Sequence, residues 1–201
     1  LNVLFSAPLA GFDRNSKPHP LETLDYTSER ELLIQVFKEV HRDVNVHFDF
    51  ATTDSLRTVL SFGCRALHFS GHGIPKGLCF EDGRLGLHVV KVHQLKDLLG
   101  AGGLQLQFVF VSACYSMEIG EAFVKAGVPH VVCVKVDTKI QDAAAIAFTR
   151  AFYVALLSGK TVQSSFSIAR EALKLSPYVS DRVLEGDKFI LLPDYTNHNI
   201  S

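Results

Sequence analysis

The sequence predicts an α/β protein: a mainly parallel central sheet between two layers of helices, a three-layer sandwich, with a small hairpin attached. Three observations lead there. Short apolar runs alternate along the chain with longer segments of helical periodicity, the order that builds parallel sheets through crossover connections. Residues 107–111, QFVFV, are rich in aromatic and β-branched side chains without strict alternation, as a strand buried on both faces requires. A chain of 201 residues, 47% hydrophobic and 20% charged, is long enough to bury one substantial core.

Residues 1–7, LNVLFSA, form the first expected strand, and residues 11–20 a polar, proline-containing surface loop. A helix is signalled at Ser28: Ser28-Glu-Arg-Glu31 is a capping-box arrangement, and Leu32, Leu33, Val36, Phe37 and Val40 share one face, carrying the helix to about His41. Val44, Val46, Phe48 and Phe50 alternate with Asn45, His47 and Asp49, so this strand has a wetter face and belongs toward the sheet edge. Thr53 or Asp54 caps a short helix through Leu60, and residues 65–69, RALHF, make the next strand. That strand runs into Ser70-Gly71-His72-Gly73, where a glycine on each side of the histidine permits a sharp turn.

Leu78-Cys79-Phe80 and Leu85-Gly86-Leu87 flank Glu81-Asp82-Gly83-Arg84, and Asp-Gly between apolar runs signals a hairpin. Residues 92–99 read as a helix stopped by Gly100. After the 107–111 strand come a helix over 118–126, a strand over 130–136 and a helix over 143–157 stopped by Gly159. Thr161 caps a further helix to Leu173, and residues 188–192 close the sheet. No internal repeat interrupts this order.

Twenty Lys plus Arg against 21 Asp plus Glu leave a formal net charge of -1, so no basic field points to nucleic acid or to an anionic membrane. No apolar segment is long enough to span a bilayer, and the first residues lack the charged-then-apolar pattern of a signal peptide, so the expected compartment is the cytoplasm. Cys64, Cys79, Cys114 and Cys133 show no C-x-x-C spacing, which disfavours a disulfide framework or a cysteine zinc site. The chain begins at Leu1 within an apolar run, which reads as a single domain, residues 1–201, cut from a longer protein.

The chemistry concentrates in two loops, each following a short apolar strand: Ser70-Gly-His72-Gly73 and Ser112-Ala-Cys114-Tyr-Ser116. In open α/β sheets the crevice beyond the carboxyl ends of the strands is where ligands bind, so both loops are expected at one edge. A cysteine attacks as thiolate, a neighbouring imidazole can take its proton, and a helix opening after Ser116 favours the anion. The N–H groups of Gly73 and Cys114 are then candidates for an oxyanion hole. The plain readings stand beside this one: Cys114 as a small buried residue ending a strand, and His72 as an ordinary loop residue.

His68 reads as a core residue or a support for the site. His68 and His72 are four apart, but the glycines argue against the helix a metal pair would need. Cys64, Cys79 and Cys133 look like packing, and His88, His93 and His130 like residues at the surface or at element ends. Asp142 either caps the helix that follows it or serves a site; Asp137 either belongs to a polar turn or, as a carboxylate at the end of the strand next to the cysteine strand, floors a pocket for a basic substrate side chain.

Taken together, LHFSGHG, the hairpin GLCFEDGRL, FVFVSACYS, VPHVVCVKV and the block DAAAIAFTRAFYVALLSGKTVQSSFSIAREAL closely resemble the CHAT domain, a caspase-like peptidase module related to separase. The resemblance covers nearly the whole chain. It implies a caspase-hemoglobinase fold and a Cys-His dyad carried onto His72 and Cys114, with Gly73 as an oxyanion donor and no cofactor or metal. It implies a cysteine endopeptidase cleaving protein or peptide substrates in a regulated signalling or defence pathway, under regulatory domains or partner proteins. The rival class is a catalytically silent interaction module of the same fold.

In the separase-like branch an acidic residue in the loop after the next strand selects a basic residue before the scissile bond. Asp142 matches that position by its distance to Phe152-Tyr153, with Asp137 second. The chain departs from the common pattern in residues 134–141, VKVDTKIQ, which are longer and lack tryptophan. It also carries Ser112 where metacaspases have aspartate.

Overall fold

The computed structural model describes residues 1–12, 17–22, 24–41, 44–101, 104–136 and 138–199. Its centre is a six-stranded sheet of β1 (Asn2–Phe5), β4 (His47–Phe50), β5 (Ala66–Ser70), β9 (Phe108–Ser112), β10 (His130–Val134) and β11 (Phe189–Leu192). Their order is β11-β10-β9-β5-β1-β4. Every neighbouring pair is parallel except β10 with β11. The strand expected at the wetter edge, β4, is indeed the outermost on its side, and the 107–111 run lies between β5 and β10 in the middle.

The alternation along each strand sorts the core into two halves. Leu4, Leu67, Phe69, Val109, Val111, Val131 and Cys133 face one way, onto α2 (Thr53–Ser61), α3 (Val92–Gly100) and α4 (Met117–Lys125). Val3, Phe5, Phe108, Phe110, Val132 and Val134 face the other way, onto α1 (Tyr26–Glu39), α5 (Asp142–Leu157) and α6 (Val162–Leu175). Both faces of the central strands are therefore dry, which is why their sequence lacks a polar alternate. On the second face Phe148 stacks on Phe189 with centroids 3.8 Å apart, inside a cluster with Phe108, Phe110, Phe152 and Phe166. Each such ring contributes about 1.5–3 kcal/mol on leaving water.

The expected three-layer sandwich is thus present, and the hairpin is part of a three-stranded antiparallel sheet of β6 (Gly73–Ile74), β7 (Gly77–Glu81) and β8 (Leu87–Lys91). Its second long strand starts later than expected. Leu85 has φ 68 and belongs to the turn, which Asp82 closes by accepting the N–H groups of Arg84 and Gly86. Three other expectations shift. The 11–20 loop contains a two-stranded ribbon, β2 (Ala10–Phe12) with β3 (Pro18–Pro20). The first helix begins before Ser28, because Asp25 caps it by accepting the N–H and the hydroxyl of Ser28. The short helix that follows β4 is capped by Thr52 rather than Thr53 or Asp54. Helix α7 (Arg182–Lys188) was not foreseen; seven residues with one buried carboxylate give no helical stripe to read.

Among the described residues no helix is long and apolar enough to cross a membrane.

Candidate active site

The two chemistry-bearing loops leave adjacent parallel strands at the same height. Ser70 of β5 stands opposite Ser112 of β9, so His72 and Cys114, each two residues further on, emerge side by side beyond the carboxyl ends of the sheet. The loops are bonded to one another, with the Gly71 N–H donating to the Ser112 carbonyl at 3.2 Å. A Cβ placed on Gly73 would lie 1.8 Å from the carbonyl oxygen of Cys114, so the approach of the two backbones requires glycine there. The hairpin sheet steadies the histidine loop from the other side: the Cys79 N–H donates to the His72 carbonyl at 3.0 Å.

The His72 ring is held at Nε2, which donates to the Glu22 carbonyl at 2.9 Å. That bond fixes the tautomer and leaves Nδ1 as the basic nitrogen. Cys114 is half-buried, and its Sγ accepts the backbone N–H of Ile140 at 3.4 Å. The chain reverses at Tyr115, whose φ of 55 is left-handed, and the Tyr115 N–H reaches the Thr138 carbonyl at 3.3 Å. Buried Ser116 pins the reversal: its hydroxyl donates to the Val111 carbonyl at 3.3 Å and accepts the Val134 N–H at 2.9 Å. Helix α4 opens directly after it, so its positive end lies beside the cysteine turn.

His72 and Cys114 line one small cleft of about 80 Å³, together with Asp25, Glu29, Ser70, Ser112, Ile140 and Asp142. Asp142 is exposed and stands first in α5; the N-cap position is Gln141, whose side chain makes no cap bond, so Asp142 is not the cap. Asp137 lies outside the described residues. The backbones of Gly73 and Cys114 pass in close contact. Among the described residues no Lys or Arg lines the cleft.

Sequence reasoning missed Asp25 and Glu29. Hydrogen bonds from the Ser28 hydroxyl and then its N–H hold the Asp25 carboxyl below the usual range. Glu29 is buried, accepts the Ser70 hydroxyl, and meets His68 Nε2 at 3.3 Å; His68 Nδ1 in turn meets the Tyr153 hydroxyl at 3.0 Å. Burial first, and the Glu29 charge second, push the Tyr153 hydroxyl well above its ordinary pKa, so it stays protonated and donates to His68. The His68 tautomer with hydrogen on Nε2 then completes the chain to Glu29. A signal for Glu29 was present: it sits four and seven residues before Leu33 and Val36, a carboxylate on the apolar face of α1.

Away from the cleft, Cys79 and Cys133 are buried and Cys64 half-buried. His88 and His93 are exposed, and His130 stands at a strand end as expected, first in β10, where it is half-buried with Nδ1 2.7 Å from Nδ1 of His198. Among the described residues no group of three or more His, Cys, Asp or Glu could hold a metal ion.

The CHAT domain family model matches residues 11–182 of the chain. No curated protein sequence matches it. Among solved structures it is similar to the Arg specific cysteine proteinase gingipain R, RgpB, at 12% identity and a TM-score of 0.58, over 94% of this chain and 45% of that one. The complex of the pro- and mature domains of Porphyromonas gingivalis RgpB gives 12% identity and 0.62 over 94% and 46%. A structure described simply as a protease gives 11% and 0.63 over 99% and 47%. The chain thus spans about half the length of the solved structures it matches. At these identities the likeness is one of fold, the caspase-like cysteine proteinase fold.

Proposed function

Since this chain belongs to the CHAT domain family, we propose that it is a cysteine endopeptidase working through a His72–Cys114 dyad. The observation that carries the reading is the register of β5 against β9, which sets the two loops level and in backbone contact. In the proposed cycle His72 Nδ1 takes the Cys114 proton and the thiolate attacks a peptide carbonyl carbon. The oxyanion that forms is held by the Gly73 and Cys114 N–H groups. His72 then gives its proton to the leaving amine. A water, deprotonated by the same imidazole, attacks the thioester, releases the acid and returns Cys114 to the thiol.

The reading extends to a basic residue before the scissile bond. Its support is the cleft itself, whose charged lining consists of the carboxylates Asp25, Glu29 and Asp142 beside His72. Asp142, which is exposed, lines the cleft and has no side-chain hydrogen bond among the described residues, is assigned the salt bridge to the substrate, with Asp137, five residues earlier in sequence, as second carboxylate. RgpB, of the same fold, is Arg specific. The four thiols are free, which supports a reducing, cytoplasmic setting, and control by neighbouring domains or partner proteins belongs to the same proposal.

The test is reaction with peptidyl acyloxymethyl ketones carrying Arg or Lys, Asp, or Leu next to the warhead. Labelling at Cys114 by the basic probes, lost in Cys114→Ala and reduced about tenfold in Asp142→Ala, is the expected result. Turnover or labelling by none of them, in a folded protein, would point instead to the silent interaction module.

A further inference from the structure

The segment between β10 and α5 is held on two sides. Toward the nucleophile, the Ile140 N–H faces Cys114 Sγ at 3.4 Å and the Thr138 carbonyl accepts from Tyr115. Toward the far side, α7 grips the two peptide groups that flank Ile140. Glu185 Oε2 accepts the Gln141 N–H at 3.2 Å, and Lys188 Nζ donates to the Lys139 carbonyl at 2.7 Å. Glu185 and Lys188 are paired with each other, and the Lys188 carbonyl takes the Lys135 N–H at 2.9 Å.

We propose that Glu185 and Lys188 are positioning residues for the Cys114 thiolate: from α7 they clamp residues 139–141 so that the Ile140 N–H is presented to Sγ. The catalytic consequence rests on the peptidase reading; the clamp itself does not. An N–H aimed at sulfur is a charge-assisted bond to the thiolate and only a weak one to the thiol, so it favours the form that attacks. Glu185 is 2% exposed and Lys188 half-buried. A buried ion pair adds little stability over well-packed apolar side chains of similar size. What this one does that apolar side chains could not is bind a specific N–H and a specific C=O on either side of one residue. Both side chains lie beyond residue 182, where the family match ends.

The experiment measures the rate of iodoacetamide alkylation at Cys114 in the full chain at pH 7, by peptide mass spectrometry, in Glu185→Ala, Gln141→Pro and the double variant. Gln141 has φ -73, so proline fits its backbone and removes the N–H that Glu185 accepts. Each single variant is expected to slow alkylation about tenfold, and the double variant no further than either. With a basic-residue peptide kcat should fall by the same factor, and KM is read separately because Asp142, assigned to the substrate, directly follows the clamped Gln141. Unchanged alkylation in folded single variants, or losses that multiply in the double variant, would overturn the clamp. Should Glu185→Ala fail to fold, the Gln141→Pro rate decides alone. If no variant and no wild type cleaves peptide while alkylation follows the expected pattern, the peptidase reading fails and the clamp stands.

Discussion

Replacing Gly73 by alanine tests whether the contact between the histidine and cysteine loops sets the site. The added Cβ would sit 1.8 Å from the Cys114 carbonyl oxygen and 2.8 Å from the carbonyl carbon, both backbone atoms that no side-chain rotation can move away. To reach even a tight contact the two loops must separate by about 1.2 Å. A misplacement of about 1 Å between reacting groups costs about 100-fold in rate. The same separation also pulls the Gly73 N–H away from the place where the oxyanion would form. Overpacking of this kind costs about 1–3 kcal/mol of stability, which for about 200 residues lowers Tm by about 2–10 °C. The assay is the rate of Cys114 labelling by a basic acyloxymethyl ketone, together with a thermal melt. Gly100→Ala is the control, since a Cβ there meets nothing within 4 Å. A folded Gly73→Ala protein that labels at the wild-type rate would refute the argument that this contact holds dyad and oxyanion donors together.

Three further outcomes follow from the geometry. Tyr153→Phe leaves the Nδ1 of a fully buried His68 without its donor and should cost about 1–3 kcal/mol in denaturant unfolding; unchanged stability would mean the hydroxyl is not that donor. A short iodoacetamide pulse on the native protein should modify Cys114 while sparing Cys79 and Cys133. Burial pushes both of those thiols up, with Glu121 adding to the effect at Cys133; early modification of either, read by mass spectrometry, contradicts this. Burial foremost, and the neighbouring His198 next, hold the His130 imidazole below its usual pKa, so the unfolded chain binds that proton more readily than the folded one. His130 therefore contributes stability above about pH 6.5 that is lost as the pH falls. Melts at pH 7.5 and 5.5 should show the drop, and His130→Asn should lessen it.

Much of the frame was legible from neighbours in sequence. The apolar runs at 66–70 and 108–112, the Thr161 cap and the strand-helix alternation all became elements close to their expected bounds, because period, cap and turn are decided within a few residues. The glycines around His72 also announced a crowded turn, although what crowds Gly73 is the backbone of Cys114, 41 residues away.

The sequence by itself determined the fold class, the strands that carry His72 and Cys114, and the family resemblance of the motifs around them. Only the tertiary structure decided that β11 runs antiparallel, that Glu29 reaches Ser70 and His68, and that α7 grips the loop which presents Ile140 to the sulfur. The physical reason is the range of the interactions. Side-chain periodicity is imposed by adjacent turns of backbone, whereas these contacts join residues 26 to 61 positions apart and exist only because the packing of both sheet faces brings their elements into register.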